Sequence, residues 1–227
     1  MLKLFQYKHI IWDWNGTLLN DAWLFVDIMN EILDNRNMDT ITVDQYRKIF
    51  GFPVENYYKK LGFNLEEESF QKSGLEFIRA YKKRRYEAEL HLGVKSILSK
   101  LLSINIHHSI LSAQHQILLD DLTKHYSIRE YFIAINGLNN YYAHSKINKG
   151  IEWMKKTGFD SKEVLLIGDT DHDFEVAEAL GTDCLLLSHG HHCYSRLIQT
   201  GAPVFRKLDN IFYIFEFGLD FKETNRN

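Results

Sequence analysis

Ile10-Ile11-Trp12-Asp13-Trp14-Asn15-Gly16-Thr17-Leu18 carries more information about the fold than any other segment of this chain. Its apolar first part is typical of a short buried strand, and Gly16 favours a tight turn directly after it. The carboxylate of Asp13 is therefore expected where the strand ends. A nucleophile at that point would be able to reach a ligand.

A second apolar run ends in acidic residues far downstream. Val164-Leu165-Leu166-Ile167 continues into Gly168-Asp169-Thr170-Asp171-His172-Asp173, which combines a predicted strand with a group of carboxylates. Carboxylate oxygens are the ligands that hard cations prefer in proteins. Two strands that both end in acidic residues suggest that the two ends form one site.

The composition is that of an ordinary globular protein. The chain has 227 residues, of which 45% are hydrophobic, which suffices for one large domain or for a core with a smaller inserted domain. A formal net charge of −3 argues against broad nucleic-acid or membrane binding, and the basic run at 82–85 is predicted to be a solvated helix face.

Cysteine usage and hydropathy bear on the compartment. Cys184 and Cys193 have no CxxC spacing, which favours a reduced setting over a disulfide framework. Uninterrupted apolar runs stay well below the roughly 18 residues of a membrane span. We therefore expect neither export nor membrane anchoring, and a cytoplasmic location.

The periodicity of the apolar residues changes twice along the chain. Asp21 to Leu33 is predicted to be a helix, Thr42 and Gln45 form a capping-box pattern, and Pro53 lies where another helix could begin. An amphipathic helical pattern then continues through Leu90. Residues 20–102 are therefore predicted to be helical, with Gly51-Phe52-Pro53 as a candidate substrate contact.

The remaining segments alternate between strands and helices. Such alternation indicates a parallel, Rossmann-like sheet covered on both faces, so the predicted class is an α/β core with an inserted α-helical cap. The core would comprise residues 1–18 and 103–227, and the cap residues 19–102. The predicted strands are Lys8–Trp12, Ile104–Leu111, Phe132–Asn136, Val164–Ile167, Cys184–Leu187 and, more weakly, Val204–Phe205.

Candidate functional residues follow from where these strands end. The ligand crevice of an open parallel sheet lies at the carboxyl ends of its strands, which would bring together Asp13, Ser112 and Asp169 with Asp173. Asp13 could attack phosphorus, the other two carboxylates could hold Mg²⁺, and Ser112 could donate to phosphoryl oxygens. Lys146 adds a positive charge at a predicted helix start, with Ser145 as a candidate cap.

With these motifs in this order, the sequence resembles the haloacid dehalogenase superfamily, and within it the phosphoglycolate phosphatase-like branch with a helical cap. The four superfamily motifs correspond to residues 13–17, 110–112, Lys146 and 168–173. The resemblance implies that Asp13 is both nucleophile and Mg²⁺ ligand. The further roles it implies are a backbone-carbonyl metal ligand at Asn15, metal binding by Asp169 with Asp173 close behind, and phosphoryl binding by Thr17, Ser112 and Lys146.

Asn15 departs from the pattern of that family. The residue two positions beyond the nucleophile is usually an aspartic acid that protonates the leaving oxygen and then activates water. An asparagine can form hydrogen bonds but cannot exchange a proton. General acid–base help is typically worth about 10² to 10⁴ in rate, so the substrate has a good leaving group, another group serves, or activity is weak.

The predicted function is Mg²⁺-dependent hydrolysis of a small phosphorylated metabolite, a phosphate monoester, through an aspartyl-phosphate on Asp13. The alternative is a phosphate-binding or regulatory protein with little turnover because of Asn15. Phosphotransfer to a sugar is a third reading. The cluster at 189–193 could be read as a zinc site, but its ligands are too tightly spaced, so a polar loop is favoured.

Overall fold

Six parallel strands form the sheet on which the candidate site is built, in the order β5-β4-β1-β6-β7-β8. The computed structural model describes residues 7–139 and 146–211. The expected parallel, Rossmann-like α/β sheet is confirmed. The strands are β1 (His9–Trp12), β4 (His107–His115), β5 (Ala134–Leu138), β6 (Val164–Gly168), β7 (Asp183–Leu187) and β8 (Val204–Phe205).

Helices and a short antiparallel ladder complete the described part of the chain. The ladder pairs β2 (Leu19–Asn20) with β3 (Glu89–Leu90). Between its strands lie α1 (Ala22–Asp34), α2 (Val43–Ile49), α3 (Val54–Lys60) and α4 (Phe70–Arg84). The other helices are α5 (Val94–Ser103), α6 (Gln116–His125), α7 (Lys146–Thr157), α8 (Asp171–Leu180) and α9 (Tyr194–Leu197), with short 3₁₀ turns at 129–131, 161–163 and 198–200.

The strand register brings distant segments of the chain together. Strand β1 is buried throughout because helices cover both faces of a parallel sheet. Trp12, its last residue, pairs with Ile110 of β4 on one side and with Ile167 of β6 on the other. The segments that leave β1, β4 and β6 therefore start from one edge of the sheet. The strand order reverses around β1, which is where such sheets bind ligands.

Several predicted helix features are present in the structure. Leu24, Ile28 and Ile32 lie on the buried face of α1. Thr42 accepts from the backbone N–H of Gln45, whose side chain accepts in return from the backbone of Thr42, so the capping box is confirmed. Pro53 is the N-cap of α3.

Two predicted boundaries were wrong. Helix α4 ends at Arg84, and Leu90 belongs to β3, because pairing with Leu19 decides the structure of that segment. The predicted strand start at Ile104 falls on the C-cap of α5, and β4 begins only at His107. Helix α5 extends to Ser103 because its apolar face is buried along its length.

The extent of the cap is a proposal. Val94, Ile97 and Leu101 of α5 are buried, and this helix contacts β4 of the large sheet. We propose that α1 to α4 form the cap within the predicted interval 19–102, and that α5 belongs with the core. Ser145, the predicted cap of α7, lies outside the described residues.

The basic run at 82–85 is not simply a solvated helix face. Arg84 pairs with Asp27 and Glu31 of α1, at 2.6 and 2.7 Å, and with Glu87 at 2.7 Å. Arg85 pairs with Asp121 of α6 at 2.9 Å. These ion pairs are partly exposed, so they orient α4 against its neighbours more than they stabilise the fold.

Replacing Gly16 with alanine tests the tight turn after β1. Gly16 has a φ of +76°, and a Cβ there would overlap the side chains of Asp169 and His191. Gly158 is a matched control, because its φ is +71° and a Cβ would meet nothing within 4 Å. We expect Gly158→Ala to cost about 1–2 kcal/mol from backbone strain, and Gly16→Ala to cost about 1–3 kcal/mol more from overpacking. Urea unfolding measures both, and equal losses would contradict the close packing.

Candidate active site

A buried lysine joins two carboxylates from different parts of the chain. Lys146, the first residue of α7, donates to Asp13 Oδ1 at 2.6 Å and to Asp173 Oδ1 at 2.5 Å. Asp13 follows β1 and Asp173 lies in the first turn of α8, and all three side chains are almost completely buried. Burial by itself would lower the pKa of Lys146, but the two carboxylates raise it well above its usual value. Lys146 therefore stays charged.

Asp173 is held from two sides. Its Oδ2 accepts from the backbone N–H groups of Asp169 and Thr170, at 3.1 and 3.0 Å, and from the Thr170 hydroxyl at 2.7 Å. These contacts form a capping box at the start of α8. Burial raises the pKa of Asp173, but Lys146 and Thr170 together bring it to about 2. The carboxylate of Asp173 is therefore ionised and fixed in place.

Asp169 has both of its oxygens engaged. Thr17 donates its hydroxyl to Asp169 Oδ1 at 2.7 Å, and the backbone N–H of His191 donates to Oδ2 at 2.6 Å. Burial raises the pKa of Asp169 to about 6, against the opposing effect of His191. Thr17, predicted to bind the phosphoryl group, thus contacts Asp169 in this structure.

These carboxylates fit a hard divalent cation. Among the described residues, Asp13, Asp169 and Asp173 are the one group of metal-capable side chains, with ligand atoms within 4.8 Å of one another. Three buried carboxylates face a single ammonium group, so negative charge exceeds positive charge in the cluster. Burial raises the pKa of Asp13, which Lys146 only partly offsets. Oxygen donors and excess negative charge together suit a hard divalent cation.

Ser112 reaches the same place from β4. Its side chain is buried, and its Oγ accepts from the backbone N–H of Gln114 at 3.1 Å. Ser112 lines one cavity together with Asp13 and Lys146. The predicted set of Asp13, Ser112 and Lys146 is therefore brought together, and the hydroxyl proton of Ser112 is available for a ligand.

Asn15 is bound to a carboxylate that the sequence did not suggest. Its Nδ2 donates to Asp21 Oδ2 at 2.6 Å and lies 3.1 Å from the Tyr81 hydroxyl. Asp21 is completely buried and also accepts from the backbone N–H of Gly16 at 2.9 Å. The amide of Asn15 therefore compensates a buried carboxylate.

The sequence pattern did not identify His191 as a residue of the site either. It was predicted to lie in a polar loop, but it is buried, with Nε2 3.2 Å from Asp21 Oδ1 and Nδ1 2.7 Å from the Tyr46 hydroxyl. Burial lowers the pKa of His191, but Asp21 outweighs this and raises it. Asp21 is 170 residues away in sequence. The available clue was that His191 follows β7, whose carboxyl end shares the edge with Asp13.

Asp171 and His172 of the same acidic motif point to other partners. Asp171 accepts from Arg196 at 2.6 Å, and Arg196 also donates to the backbone carbonyl of Phe50, the C-cap of α2. Nδ1 of His172 lies 2.9 Å from Glu175. Through Arg196 in α9, Asp171 therefore links the first turn of α8 to the end of α2, apart from the carboxylate cluster.

A cavity of about 200 Å³ opens from this cluster toward helices α1 to α4. Asp13, Asn15, Ser112, Lys146 and Asp173 lie along its polar part. The helices contribute mostly aromatic side chains, including Phe52 of the predicted contact segment 51–53. The site therefore combines a charged end with an apolar end.

Comparison with known families identifies the class of protein to which this sheet and its acidic cluster belong. The family model described as "Haloacid dehalogenase-like hydrolase" matches residues 10–187, and the chain belongs to this family. The predicted resemblance is confirmed, and the protein is a hydrolase. No helix in the described ranges is long and apolar enough to cross a bilayer.

Two curated relatives narrow the branch. The chain is 24% identical over 212 residues to a phosphoglycolate phosphatase of Photobacterium profundum, covering 89% of this chain and 92% of that protein. It is 22% identical over 192 residues to a phosphoglycolate phosphatase of Pseudomonas syringae pv. tomato, covering 82% and 71%. Both support the phosphoglycolate phosphatase-like branch.

Solved structures agree with the fold. A predicted phosphoglycolate phosphatase from Haemophilus somnus has a TM-score of 0.76 at 19% identity, covering 93% of this chain and 99% of that chain. A haloacid dehalogenase-like hydrolase from Streptococcus pneumoniae has a TM-score of 0.79 at 19% identity, covering 93% and 100%. At this identity the likeness concerns the fold alone.

The contact between Asn15 and Asp21 can be tested by exchanging the two residues. Asn15→Asp would place two carboxylates in contact within a buried site, so we expect a loss of about 2 kcal/mol or more in the free energy of unfolding. The double variant Asn15→Asp/Asp21→Asn restores one amide and one carboxylate. We expect it to recover at least half of that loss in urea unfolding.

The single variant Asp21→Asn completes a double-mutant cycle. It leaves two amides in contact and removes an acceptor from Gly16 and His191, so it is also expected to destabilise. If the losses of the two single variants simply add in the double variant, Asn15 and Asp21 are not coupled.

Proposed function

We propose that the protein hydrolyses a small phosphate monoester, with Asp13 as nucleophile and a bound Mg²⁺. The observation that carries this proposal is the convergence of Asp13, Lys146 and Asp173 at the polar end of the cavity, with ammonium to carboxylate distances of 2.6 and 2.5 Å. A phosphoryl group there would meet a carboxylate, a fixed cation and the hydroxyl of Ser112. These are the groups that phosphoryl transfer requires.

Among the three clustered carboxylates, Asp13 is best suited to attack. Its exposed fraction is 8%, whereas Asp169 is 0% and Asp173 is 1% exposed. Both oxygens of Asp169 and of Asp173 accept hydrogen bonds from the protein. Lys146 holds Oδ1 of Asp13 and thereby orients the carboxylate toward the cavity.

The proposed reaction has two displacements at phosphorus. A carboxylate oxygen of Asp13 forms a bond to phosphorus while the bond to the ester oxygen breaks, and the alcohol leaves as the alkoxide with that electron pair. Water then attacks the aspartyl-phosphate, the bond between phosphorus and Asp13 breaks, and inorganic phosphate is released. One proton from water goes to the leaving alcohol and the other remains with phosphate or solvent.

Other residues of the chain position the phosphoryl group. Lys146 would offset its charge, and Ser112 would donate a hydrogen bond to one oxygen. Thr17 would contribute through Asp169, to which it donates at 2.7 Å. Asp13, Asp169, Asp173 and the backbone carbonyl of Asn15 would hold Mg²⁺, which as a Lewis acid reduces the repulsion between carboxylate and phosphate.

Asn15 limits the chemistry at the leaving oxygen. Its amide donates to Asp21 and cannot transfer a proton, so the departing alcohol receives no help from residue 15. This keeps open the alternative of a phosphate-binding or regulatory protein with little turnover. Binding without hydrolysis would distinguish that function.

Replacing Asp13 with asparagine tests the nucleophile. The change removes both the attacking oxygen and a proposed metal ligand, so hydrolysis of an aryl phosphate with Mg²⁺ should fall by about 10⁴ or more. The exposed Asp39 is a matched control, and Asp39→Asn should keep wild-type activity. Wild-type activity should also disappear in excess chelator and return with Mg²⁺.

Three results are decisive for this test. Activity that persists in Asp13→Asn, or in chelator, contradicts the mechanism. Phosphate binding by the wild type without any hydrolysis favours the regulatory alternative.

Replacing Lys146 with methionine tests the fixed cation. The change keeps an unbranched side chain but removes the charge that faces the phosphoryl group, so kcat/KM should fall by about 10² to 10³. Lys155→Met, on an exposed position of the same helix, should change kcat/KM less than threefold. Calorimetric titration with vanadate should show weaker binding only in Lys146→Met. Equal vanadate affinities would reduce Lys146 to a structural role.

A further inference from the structure

We propose that the substrate is an aryl phosphate, a monoester of a phenol without a second anionic group. The inference rests on the proposed function and concerns the group that leaves. It follows from three properties of the cavity. These are the aromatic character of its walls, the placement of its Lys and Arg side chains, and the inability of Asn15 to donate a proton to the leaving group.

The part of the cavity that would hold the leaving group is apolar. Among the residues that the structure describes, nine Phe and Tyr side chains line it. Phe25 and Phe77 contact each other edge to face, with centroids 5.1 Å apart, and Phe50 and Phe52 do so at 5.6 Å. Aromatic walls of this kind suit a flat ring, which they can contact by face or edge.

Lysine and arginine side chains are confined to the phosphoryl end of the cavity. Lys146 is the one Lys or Arg among the described residues that line the cavity, and its ammonium is already shared by two carboxylates. Arg47, in α2, donates instead to the backbone carbonyls of His189 and Gly190, at 2.7 and 2.8 Å. Arg196 is bound to Asp171.

A substrate with a carboxylate beyond its phosphate would therefore bury that charge without a Lys or Arg partner. Burying an unpaired charge is costly. Phosphoglycolate, which the names of the curated relatives mention, has such a carboxylate. The distribution of charge in this cavity disfavours it.

Polar atoms without hydrogen-bond partners supplement the apolar wall. The Tyr57 hydroxyl, Gln114 Nε2 and His172 Nε2 are buried atoms of cavity-lining residues, and none has a hydrogen-bond partner within the described part of the chain. Buried polar atoms normally form hydrogen bonds, so these three unpaired atoms indicate that a bound ligand supplies their partners. A hydroxyl or carbonyl substituent on the ring would serve.

Asn15 supports the same class of leaving group. A phenol has a pKa of about 10, so a phenolate can depart without being protonated. As the bond between phosphorus and oxygen breaks, the phenolate keeps the electron pair and later takes a proton from water. An alkyl alcohol is a much weaker acid and would need the proton that Asn15 cannot supply.

Turnover and binding are measured separately, so that failure of this inference differs from failure of the proposed function. With Mg²⁺, we expect kcat/KM for phenyl phosphate to exceed that for phosphoglycolate at least tenfold. Phenylphosphonate and 3-phosphonopropionate are analogues that cannot be hydrolysed at phosphorus by loss of an alcohol. We expect calorimetry to show at least tenfold tighter binding of phenylphosphonate.

Variants of α4 test whether the cavity determines the preference for phenyl phosphate over phosphoglycolate. Phe77→Ala should raise KM for phenyl phosphate at least fivefold, whereas Leu75→Ala, an exposed position on the same helix, should not change it. Ile78→Lys introduces a cation at the cavity wall and should shift the kcat/KM ratio toward phosphoglycolate at least tenfold. Leu75→Lys is its matched control.

Each outcome has a defined meaning. Hydrolysis with phosphoglycolate preferred or equal overturns the inference and leaves the proposed function intact. Preferential binding of phenylphosphonate without hydrolysis of any ester supports the inference about the cavity and overturns the proposed hydrolysis. Equal binding of the two phosphonates, or equal effects of Phe77→Ala and Leu75→Ala, overturns the assignment of the cavity as the aryl site.

Discussion

The ammonium group of Lys146, held between Asp13 and Asp173, is the interaction on which the rest of the site depends. The contacting residues are 133 and 27 positions apart in sequence, and all are buried. Burying three charges is costly unless their geometry is well determined. Three separate elements provide this geometry, since Asp13 follows β1, Lys146 begins α7 and Asp173 lies in the first turn of α8. The remaining negative charge of the cluster creates the demand for a cation.

A second network connects this cluster to the helical segment between β2 and β3. Asp21 contacts Asn15, His191 and Tyr81, while His191 contacts Tyr46 through its ring and Asp169 through its backbone. The turn after β1, the loop after β7 and helices α2 and α4 therefore share hydrogen-bond partners. A change at residue 15 consequently affects both the chemistry and the packing between these segments. Asn15 therefore has two effects: its amide binds Asp21, and it leaves position 15 without a general acid.

Two parts of the chain line the cavity, namely the edge of the sheet and the helices between β2 and β3. Segments at the edge of the sheet supply the charged groups, which lie where the parallel strands end. The helices between β2 and β3 supply aromatic surface with few polar atoms. The region that matches the haloacid dehalogenase-like hydrolase family, residues 10–187, contains this first part. We propose that selectivity depends on the second part, because these helices form the aromatic wall of the cavity.

The sequence by itself determined the features that short-range patterns encode. The buried strands β1, β6 and β8, the capping box at Thr42 and the acidic strand ends follow from neighbouring residues, so they could be predicted. Only the tertiary structure decided the β2–β3 pairing, the buried contact between Asp21 and His191, and the ion pairs of Arg84. Each of these joins residues far apart in the chain, whose local sequence resembles an ordinary turn, loop or helix surface. Their partners are chosen by packing, burial and charge, and a single sequence does not display those properties.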